Sequence, residues 1–465
     1  MVTDRLSPLD VSFLYMETPT TAMHVGGVLT FQQPEGGLGY ERLVALISDR
    51  IALVPRYRQK VRWIPGRLAN PIWVDDDNFD VTYHVRRSAL PKPGTDAQLR
   101  DLVGRLQSRQ LDRHRPLWEL YLVEGLSDNR IAIITKTHHA MVDGVSAVDL
   151  GTVLFDLTTT PREVLPDEWQ PATAPTAFAL VAGAMTDAVQ RPTQLLDTSR
   201  SALTDVRATA DRATSIAGSV LASLRTFVRP AAPSPLNVRI GEQRRFAMAS
   251  TDLADYKRIR AAHGATVNDV VLAAVAGGLR AWLVTRDELP APGSVIRAMV
   301  PVSIRTDRNS GQLGNRVSSY FVDLPVGEQD PATRLRSVIA AMAGHKANGE
   351  AVGADALVQL AGFAQPTIAL LGARAASSMT KRLFNVVVTN VPGPQFALYA
   401  AGAKMLQMYP VVPLAKGQAV SIGLTSYNGG VFYGLNADRD AMADVDVLAD
   451  CLERAVAELL ETVGR

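Results

Sequence analysis

The 465-residue chain is predicted to fold as an α/β protein with two domains, and three observations support this. Its length exceeds what one hydrophobic core usually supports. Strand-like apolar runs alternate with helical patterns through the first 160 residues, and the same mixture resumes after residue 246. A Pro- and Ala-rich stretch separates the two regions. We therefore predict an N-terminal domain at residues 1–160, a helical linker at 161–245 and a C-terminal domain at 246–465.

The elements of both regions follow from apolar periodicity. Residues 26–31 and 132–137 are apolar runs of the length typical of buried strands. Residues 40–52 and 97–110 carry apolar side chains at helical spacing. In the C-terminal region the same criteria predict helices at residues 268–284 and 444–463 and strands at 295–302 and 386–390.

The linker has two parts. Residues 161–175 are rich in Pro, Thr and Asp, which indicates an exposed connection. Residues 178–228 are Ala-rich with spaced charges and predict amphipathic helices, which the prolines at 230–235 end. Their apolar faces either pack against the domains or contact a membrane or lipid droplet, and the sequence leaves both open.

Charge and composition exclude several function classes. The net charge is +2, from 48 basic and 46 acidic residues, so no bulk field attracts nucleic acid. Residues 56–63 interleave basic and aromatic side chains, but this alternation equally describes a half-exposed strand. The single cysteine, Cys451, excludes an internal disulfide, fits a reducing compartment and is interpreted as a packing residue.

No targeting or membrane-spanning segment is expected. The first residues lack a charged region followed by an apolar core, so we expect a cytoplasmic protein without a signal peptide. Residues 356–373 barely reach the length of a spanning helix, and Gln and Pro interrupt them. We interpret this segment as a buried or channel-lining helix rather than a membrane insertion.

The most informative motif is His-His-Ala-Met-Val-Asp-Gly at residues 138–144. It follows a predicted strand, where successive side chains point to opposite faces, so His138 and His139 should not serve one site equally. A neutral imidazole can take a proton from an alcohol and return it to a leaving group. Asp143 can accept a hydrogen bond from the ring or pair with an arginine, and Gly144 allows a tight turn.

Two other chemistries are disfavoured. Adjacent histidines on a strand chelate a metal poorly, and no His-x-His, Glu-x-x-His or cysteine cluster accompanies them. No Gly-x-Ser-x-Gly sequence is present, so no serine nucleophile or covalent acyl-enzyme is expected. We therefore predict no metal and no cofactor.

Five further motifs make the chain recognisable. These are Leu-Ser-Pro-Leu-Asp at 6–10 with Met-His-Val-Gly at 23–26, Arg-Pro-Leu-Trp-Glu at 115–119, Thr-Val-Asn-Asp-Val at 266–270, Pro-Val-Ser-Ile-Arg at 301–305 with Gly-Asn at 314–315, and Asn-Val-Val-Val-Thr-Asn-Val-Pro-Gly-Pro at 385–394. Together with the histidine motif they resemble the bacterial wax ester synthase/diacylglycerol acyltransferase family, which belongs to the larger His-His-x-x-x-Asp-Gly superfamily of CoA-dependent acyltransferases. The resemblance runs nearly from end to end.

The resemblance implies a fold and a reaction. Members resemble two chloramphenicol-acetyltransferase-like domains joined by a crossover segment, with a channel between them and the histidines near its middle. The expected substrates are acyl-CoA and an acceptor, either diacylglycerol or a long-chain alcohol. The products would be triacylglycerol or a wax ester. A CoA substrate requires basic residues for its phosphates, but no glycine-rich phosphate loop identifies them.

The resemblance also implies residue roles. By alignment with the superfamily histidine, His139 is the general base and His138 supports the site. Asp143 points away from His139 and pairs with Arg305. Asn268 is the first choice as donor to the tetrahedral oxyanion, assisted by Ser303 or Asn390. Asn268 also has a purely structural interpretation as the N-cap of its helix, strengthened by the nearby Thr266.

Two alternatives stay open. The same superfamily includes condensation-type and polyketide-associated acyltransferases that take acyl groups from carrier proteins. The second alternative is that the chain is a catalytically weak homologue that binds lipid, although the intact motif argues against this.

Overall fold

The computed structural model describes residues 4–34, 36–141, 151, 153–164, 167–183, 185–186, 230–303, 317–347, 352–353 and 383–464. Three predicted site residues, Asp143, Gly144 and Arg305, lie outside these ranges. The predicted helix at residues 356–373 and most of the linker helices also lie outside them.

The described elements alternate between helix and strand. The helices are α1 (Pro8–Met16), α2 (Tyr40–Arg50), α3 (Val81–His84), α4 (Asp96–Gln107), α5 (Leu253–His263), α6 (Val267–Thr285), α7 (Pro331–Ala347) and α8 (Val445–Leu460). The strands are β1 (His24–Gln32), β2 (Gln59–Arg62), β3 (Ile72–Asp75), β4 (Val85–Ala89), β5 (Trp118–Leu126), β6 (Arg130–His138), β7 (Arg244–Asp252), β8 (Ile296–Ser303), β9 (Val317–Leu324), β10 (Val352–Gly353), β11 (Val386–Pro392), β12 (Tyr399–Ala400), β13 (Ala403–Val411), β14 (Val420–Tyr427) and β15 (Gly430–Asp438). Each helix and strand predicted within the described ranges is present, with its ends shifted by a few residues.

The first sheet has the strand order β12-β13-β1-β6-β5-β4. Its central strands β1, β5 and β6 are apolar and bury their side chains under helices α2 and α4. Strands β12 and β13 come from the C-terminal half of the chain, and β13 pairs antiparallel with β1. Two strands of the C-terminal half therefore belong to the sheet of the N-terminal half. The predicted domain boundaries did not include this exchange of strands, and they stay predictions.

The second sheet has the strand order β10-β9-β8-β11-β14-β15-β7 and is mixed. Strand β11 runs parallel to β8 and to β14, while the other pairs are antiparallel. Helices α5, α6, α7 and α8 pack together over it and form a second core. Cys451 is buried in α8 within this core, which agrees with its interpretation as a packing residue.

Helix α6 is the central element of the second core. Thr266 is its N-cap, and Thr266 and Asp269 form a reciprocal capping box that satisfies two amide groups of the helix start. Among the described residues, helix α6 is long and apolar enough to cross a membrane. Its residues are mostly buried against the second sheet and α8, as expected of a core helix.

The first part of the linker lies on the N-terminal half. The buried Arg50 guanidinium, which also binds Asp156, donates to the Arg162 carbonyl at 3.2 Å, and Arg58 pairs with Asp167. Residues 177–183 are helical, and Leu180 is buried in a small cluster under the β2–β3 hairpin. In the segment at 56–63, Gln59–Arg62 form the mostly half-exposed strand β2 and the residues before it belong to a 3-10 turn at Pro55–Arg58, so the strand interpretation holds for part of the segment.

The close approach of β1 to β6 depends on Gly26. A Cβ added at Gly26 would lie 1.9 Å from the Thr135 carbonyl oxygen, whereas one at Gly27 would be 3.6 Å from its nearest neighbour. We predict that Gly26→Ala lowers the free energy of unfolding by about 2 kcal/mol or more, because β1 must move away from β6. Gly27→Ala is the matched control and should change it by less than about 1 kcal/mol. Urea unfolding of the two purified variants measures both, and equal effects would contradict the prediction.

Candidate active site

The histidine pair lies at the end of β6, next to the start of β1. The pairing of these strands places His24 opposite His138. The His138 amide donates to the Leu117 carbonyl at 2.9 Å, and the His139 amide donates to the Met23 carbonyl at 2.8 Å. Immediately after the strand, residues His139–Met141 form one turn of 3-10 helix. The backbone of both histidines is therefore fixed by the segments before β1 and β5.

His138 points into the protein and is completely buried. Its Nδ1 accepts a hydrogen bond from the Ala140 amide at 3.0 Å. Nε2 therefore carries the proton of the neutral ring, and it lies 3.6 Å from a carboxylate oxygen of Glu17. His138 thus links the 3-10 turn to the N-terminal segment of the chain.

His139 points to the other side and remains partly exposed. Its ring stacks on Phe13 of α1, with centroids 3.9 Å apart and an interplanar angle of 26°. Nδ1 is buried and has no hydrogen-bond partner among the residues described. Burial lowers the pKa of His139 to about 4, which outweighs a contact with its own carbonyl, and His138 lowers it further. His139 is therefore neutral at pH 7, as a general base must be.

Glu17 is the functional residue that the sequence reasoning missed. Its carboxylate is buried between α1 and β1, and Arg113 donates to it through Nε at 2.9 Å and through a terminal nitrogen at 2.5 Å. The Met23 amide donates to the other oxygen at 3.2 Å, and the ring nitrogen Nε2 of His24 lies 3.3 Å from that oxygen. A single acidic residue between a helix and a strand is a weak sequence signal, because most such residues are exposed.

The charges around Glu17 set the ionisation of the cluster. Burial alone would raise the pKa of Glu17, but interactions with His138 and His24, mainly through hydrogen bonding, lower it, and the carboxylate stays ionised. Burial lowers the pKa of His24 to about 4, despite its contact with Glu17. Lys136 is also buried; its Nζ donates to the Leu106 carbonyl at 3.1 Å, and burial lowers its pKa to about 8.

A second group of predicted residues meets on the second sheet. The Asn390 side-chain amide near the end of β11 donates to the Asn268 side-chain oxygen at the start of α6, at 3.4 Å. Strands β8 and β11 pair only through Val386 and Val387, and no further pairing between them is found in the described residues. Ser303 is the last residue of β8.

The capping interpretation of Asn268 is wrong. Thr266 occupies the N-cap and bonds to the Asp269 amide, which places Asn268 at the second helical position. Its side chain is therefore not used for capping, and helix initiation does not account for an Asn there. In the first turn, backbone N–H groups have no carbonyl partner within the helix, so this end carries partial positive charge.

The remaining predicted residues receive no test from the structure. Asp143, Gly144 and Arg305 lie outside the described residues, so their pairing and turn stay predictions. Within the described ranges, no group of three or more His, Cys, Asp or Glu side chains is arranged to hold a metal ion.

Comparison with known proteins identifies the family. The model of the wax ester synthase/diacylglycerol acyltransferase catalytic domain matches residues 6–271, and the model of the corresponding C-terminal domain matches residues 313–460. A probable diacylglycerol O-acyltransferase of Mycobacterium tuberculosis, tgs2, is 36% identical over 473 residues, which cover 99% of this chain and 100% of the relative. A second from that organism, tgs1, is 34% identical over 98% of this chain and 96% of its own length.

Solved structures confirm the α/β, two-domain fold. The wax ester synthase/diacylglycerol acyltransferase of Marinobacter aquaeolei VT8 is similar with a TM-score of 0.71 and 29% identity, covering 99% of this chain and 100% of that one. The first condensation domain of the CDA synthetase, with a TM-score of 0.57, 15% identity and coverage of 100% and 97%, shares the fold alone. The family predicted from the motifs is thus confirmed, and the chain belongs to the wax ester synthase/diacylglycerol acyltransferase family of acyltransferases.

Proposed function

We propose that the protein transfers a long-chain acyl group from acyl-CoA to the hydroxyl of diacylglycerol or of a long-chain alcohol, with His139 as general base. The observation that carries this proposal is the placement of His139. Its ring is fixed by Phe13, its Nδ1 is buried, and part of the ring remains exposed. Nε2 is therefore the atom that can meet a substrate hydroxyl, and the low pKa keeps it unprotonated.

The reaction proceeds by direct attack. His139 Nε2 takes the proton of the acceptor hydroxyl as its oxygen bonds to the thioester carbon, which gives a tetrahedral oxyanion. The carbon–sulfur bond then breaks, the carbonyl reforms, and the imidazolium returns the proton to the CoA sulfur. The products are an ester and free CoA. No protein atom becomes acylated, and no cofactor takes part.

Asn268 is the proposed donor to the oxyanion. Its side-chain oxygen accepts from Asn390, which leaves its own NH₂ group for a substrate oxygen. The start of α6 adds the partial positive charge of a long helix. Ser303 is the last residue of the neighbouring strand β8, beyond the pairing of β8 with β11 that the described residues show. We propose that it assists.

The other motif residues support the histidine. His138 holds the 3-10 turn through the Ala140 amide and faces Glu17, so we propose a positioning role for it. We propose that Asp143 pairs with Arg305 and that Gly144 allows the turn after the histidines. We propose diacylglycerol as the acceptor to test first, because the mycobacterial relatives are named diacylglycerol O-acyltransferases.

We also propose that this cytoplasmic protein meets its lipid substrates at a membrane or droplet surface through the start of the linker helix. Leu180 is buried against the β2–β3 hairpin, whereas Phe178 and Met185 are 84% and 60% exposed. Positions seven apart share one helix face, so two large apolar side chains point away from the protein. Exposed Arg67 and Leu68 lie on the turn next to that buried cluster and suit an acidic headgroup and an acyl chain.

The base assignment predicts a loss of acyl transfer without unfolding. His139→Ala should lower kcat by about a thousandfold or more, since both proton transfers lose their carrier. The assay follows thiol release from palmitoyl-CoA with dioleoylglycerol, hexadecanol or no acceptor, and circular dichroism confirms the fold. Acceptor-dependent release that survives in the variant would contradict the assignment. No release by the wild-type protein with either acceptor would contradict acyl-CoA as the donor.

The oxyanion assignment predicts that substitutions at two nearby residues have different effects, one on catalysis and the other on stability. Asn268→Ala should lower kcat by about a hundredfold, because one donor to the oxyanion is lost, with little change in thermal stability. Thr266→Ala should instead cost about 1 kcal/mol of stability, since the N-cap is lost, and retain most of the activity. Steady-state kinetics and thermal unfolding of both variants measure these effects. An Asn268→Ala variant with wild-type kcat would contradict the assignment.

The surface assignment predicts weaker binding to vesicles. The double variant Phe178→Ser, Met185→Ser should bind phosphatidylcholine–phosphatidylglycerol vesicles about tenfold or more weakly than the wild-type protein, because two exposed apolar side chains that would enter the bilayer are lost. Leu289→Ser is the matched control, since Leu289 is 69% exposed in the other half of the chain. Co-sedimentation measures the bound fraction. Equal binding of all three proteins, or no binding by the wild-type protein, would contradict the proposal.

A further inference from the structure

We infer that Arg244, in the C-terminal half, is a positioning residue that holds the two histidines in place through the turn at residues 18–21. The inference rests on the proposed role of His139 and extends it to a residue that lies outside every motif. It means that the catalytic histidine of the N-terminal half depends on a side chain of the other half.

The contacts of Arg244 join three parts of the molecule. It is the first residue of β7 and is 7% exposed. One terminal nitrogen donates to the Thr20 carbonyl at 2.5 Å, and the other donates to the Gly241 and Gln243 carbonyls at 2.8 and 2.9 Å. Its backbone amide donates to the Ser108 hydroxyl at 2.9 Å, just after α4. Asp438 of β15 balances the charge at 3.9 Å.

The turn that Arg244 holds leads directly to the histidines. Thr18 and Thr21 exchange two backbone hydrogen bonds and close the turn. Glu17 precedes it and faces His138, while the Met23 carbonyl after it accepts the His139 amide. A displacement of the turn therefore moves the supports of both histidines together.

The turn is held from both halves. Arg113 holds its N-terminal side, through Glu17 and through the Leu14 carbonyl at 3.0 Å. Arg244 holds its other side at the Thr20 carbonyl. Burying a guanidinium is costly, and apolar residues would fill the same space at lower cost. The two terminal nitrogens of the arginine fork instead fix three carbonyls from two separate segments in one planar geometry, which the single nitrogen of a lysine reproduces only in part.

Loss of Arg244 should change the environment of His139 as well as its position. A looser turn admits water beside the ring, which weakens the desolvation that holds its pKa at about 4. Several charged or titratable groups face this cluster, and they stay in place in the variant. They are Glu17 before β1, His24 in β1, Arg113 before β5, and Lys136 and His138 in β6.

The experiment compares Arg244→Gln and Arg244→Lys with the matched control Arg245→Gln. The adjacent Arg245 is less buried, and its side chain donates to the Arg439 carbonyl at 3.2 Å. We expect Arg244→Gln to lower kcat about tenfold or more with KM changed by less than about twofold, because the base is misplaced rather than the substrate site lost. Arg244→Lys should recover only part of this loss. Arg245→Gln should behave as wild type.

The pH profile separates positioning from simple support of the fold. The wild-type kcat/KM should change little as the pH is lowered toward 4.5, since His139 is protonated only near pH 4. In Arg244→Gln the acid limb should move upward, toward the ordinary histidine pKa of about 6.5. A variant that merely contains less folded protein would lose activity equally at every pH.

The outcomes are distinguishable from a failure of the proposed function. If the wild-type protein is inactive, or if His139→Ala retains activity, the proposed role of His139 fails and the inference falls with it. If His139→Ala is inactive but Arg244→Gln matches Arg245→Gln in kcat and in pH profile, the inference alone is overturned. The inference is also overturned if Arg244→Gln has a lower kcat that the smaller fraction of folded protein fully explains, and if the acid limb of its pH profile is unshifted.

Discussion

The buried carboxylate of Glu17 is the constraint on which the site depends. An uncompensated charge at this depth would cost several kcal/mol, so the segments around it must supply donors. Arg113 supplies two donors to one carboxylate oxygen and the Met23 amide supplies one donor to the other, while His24 and His138 lie at its edges. These partners come from three segments, which are Met23 and His24 at the start of β1, Arg113 before β5 and His138 at the end of β6. Satisfying one carboxylate therefore brings together α1, β1, the segment before β5 and the end of β6.

The two halves of the chain are not independent folding units in this architecture. Strand β13 completes the first sheet by pairing with β1, although it lies beyond residue 400. In the reverse direction, α4 of the first half packs closely on the start of β7, where a Cβ at Gly104 would lie 2.7 Å from the Arg244 carbonyl oxygen. Such exchange joins the cores through backbone pairing and close packing rather than through a flexible hinge. It gives the second half a means to hold residues of the first.

The sequence predicted the local features well and the long-range ones poorly. The β6 strand and the α6 helix follow from apolar runs whose length and period are local properties. The family follows from motifs that are also local. Glu17 was missed because its burial depends on Arg113, almost a hundred residues away. The position of β13 was missed for the same reason. Asn268 was given a capping alternative because the sequence alone did not fix the first residue of the helix, and only that position identifies Thr266 and Asp269 as the capping box.

The low pKa of His139 has opposite effects on the two proton transfers that we propose. A fall from 6.5 to about 4 makes the imidazolium about 3 kcal/mol less stable relative to the neutral ring. This weakens His139 as a base toward the acceptor hydroxyl, but it makes the imidazolium a stronger acid toward the departing sulfur. Attack must therefore be helped elsewhere, by precise placement of the hydroxyl and by donors to the oxyanion. In the proposed mechanism, the rigid support of the histidines and the half-buried side-chain amide of Asn268 would supply these two kinds of help from opposite halves of the chain.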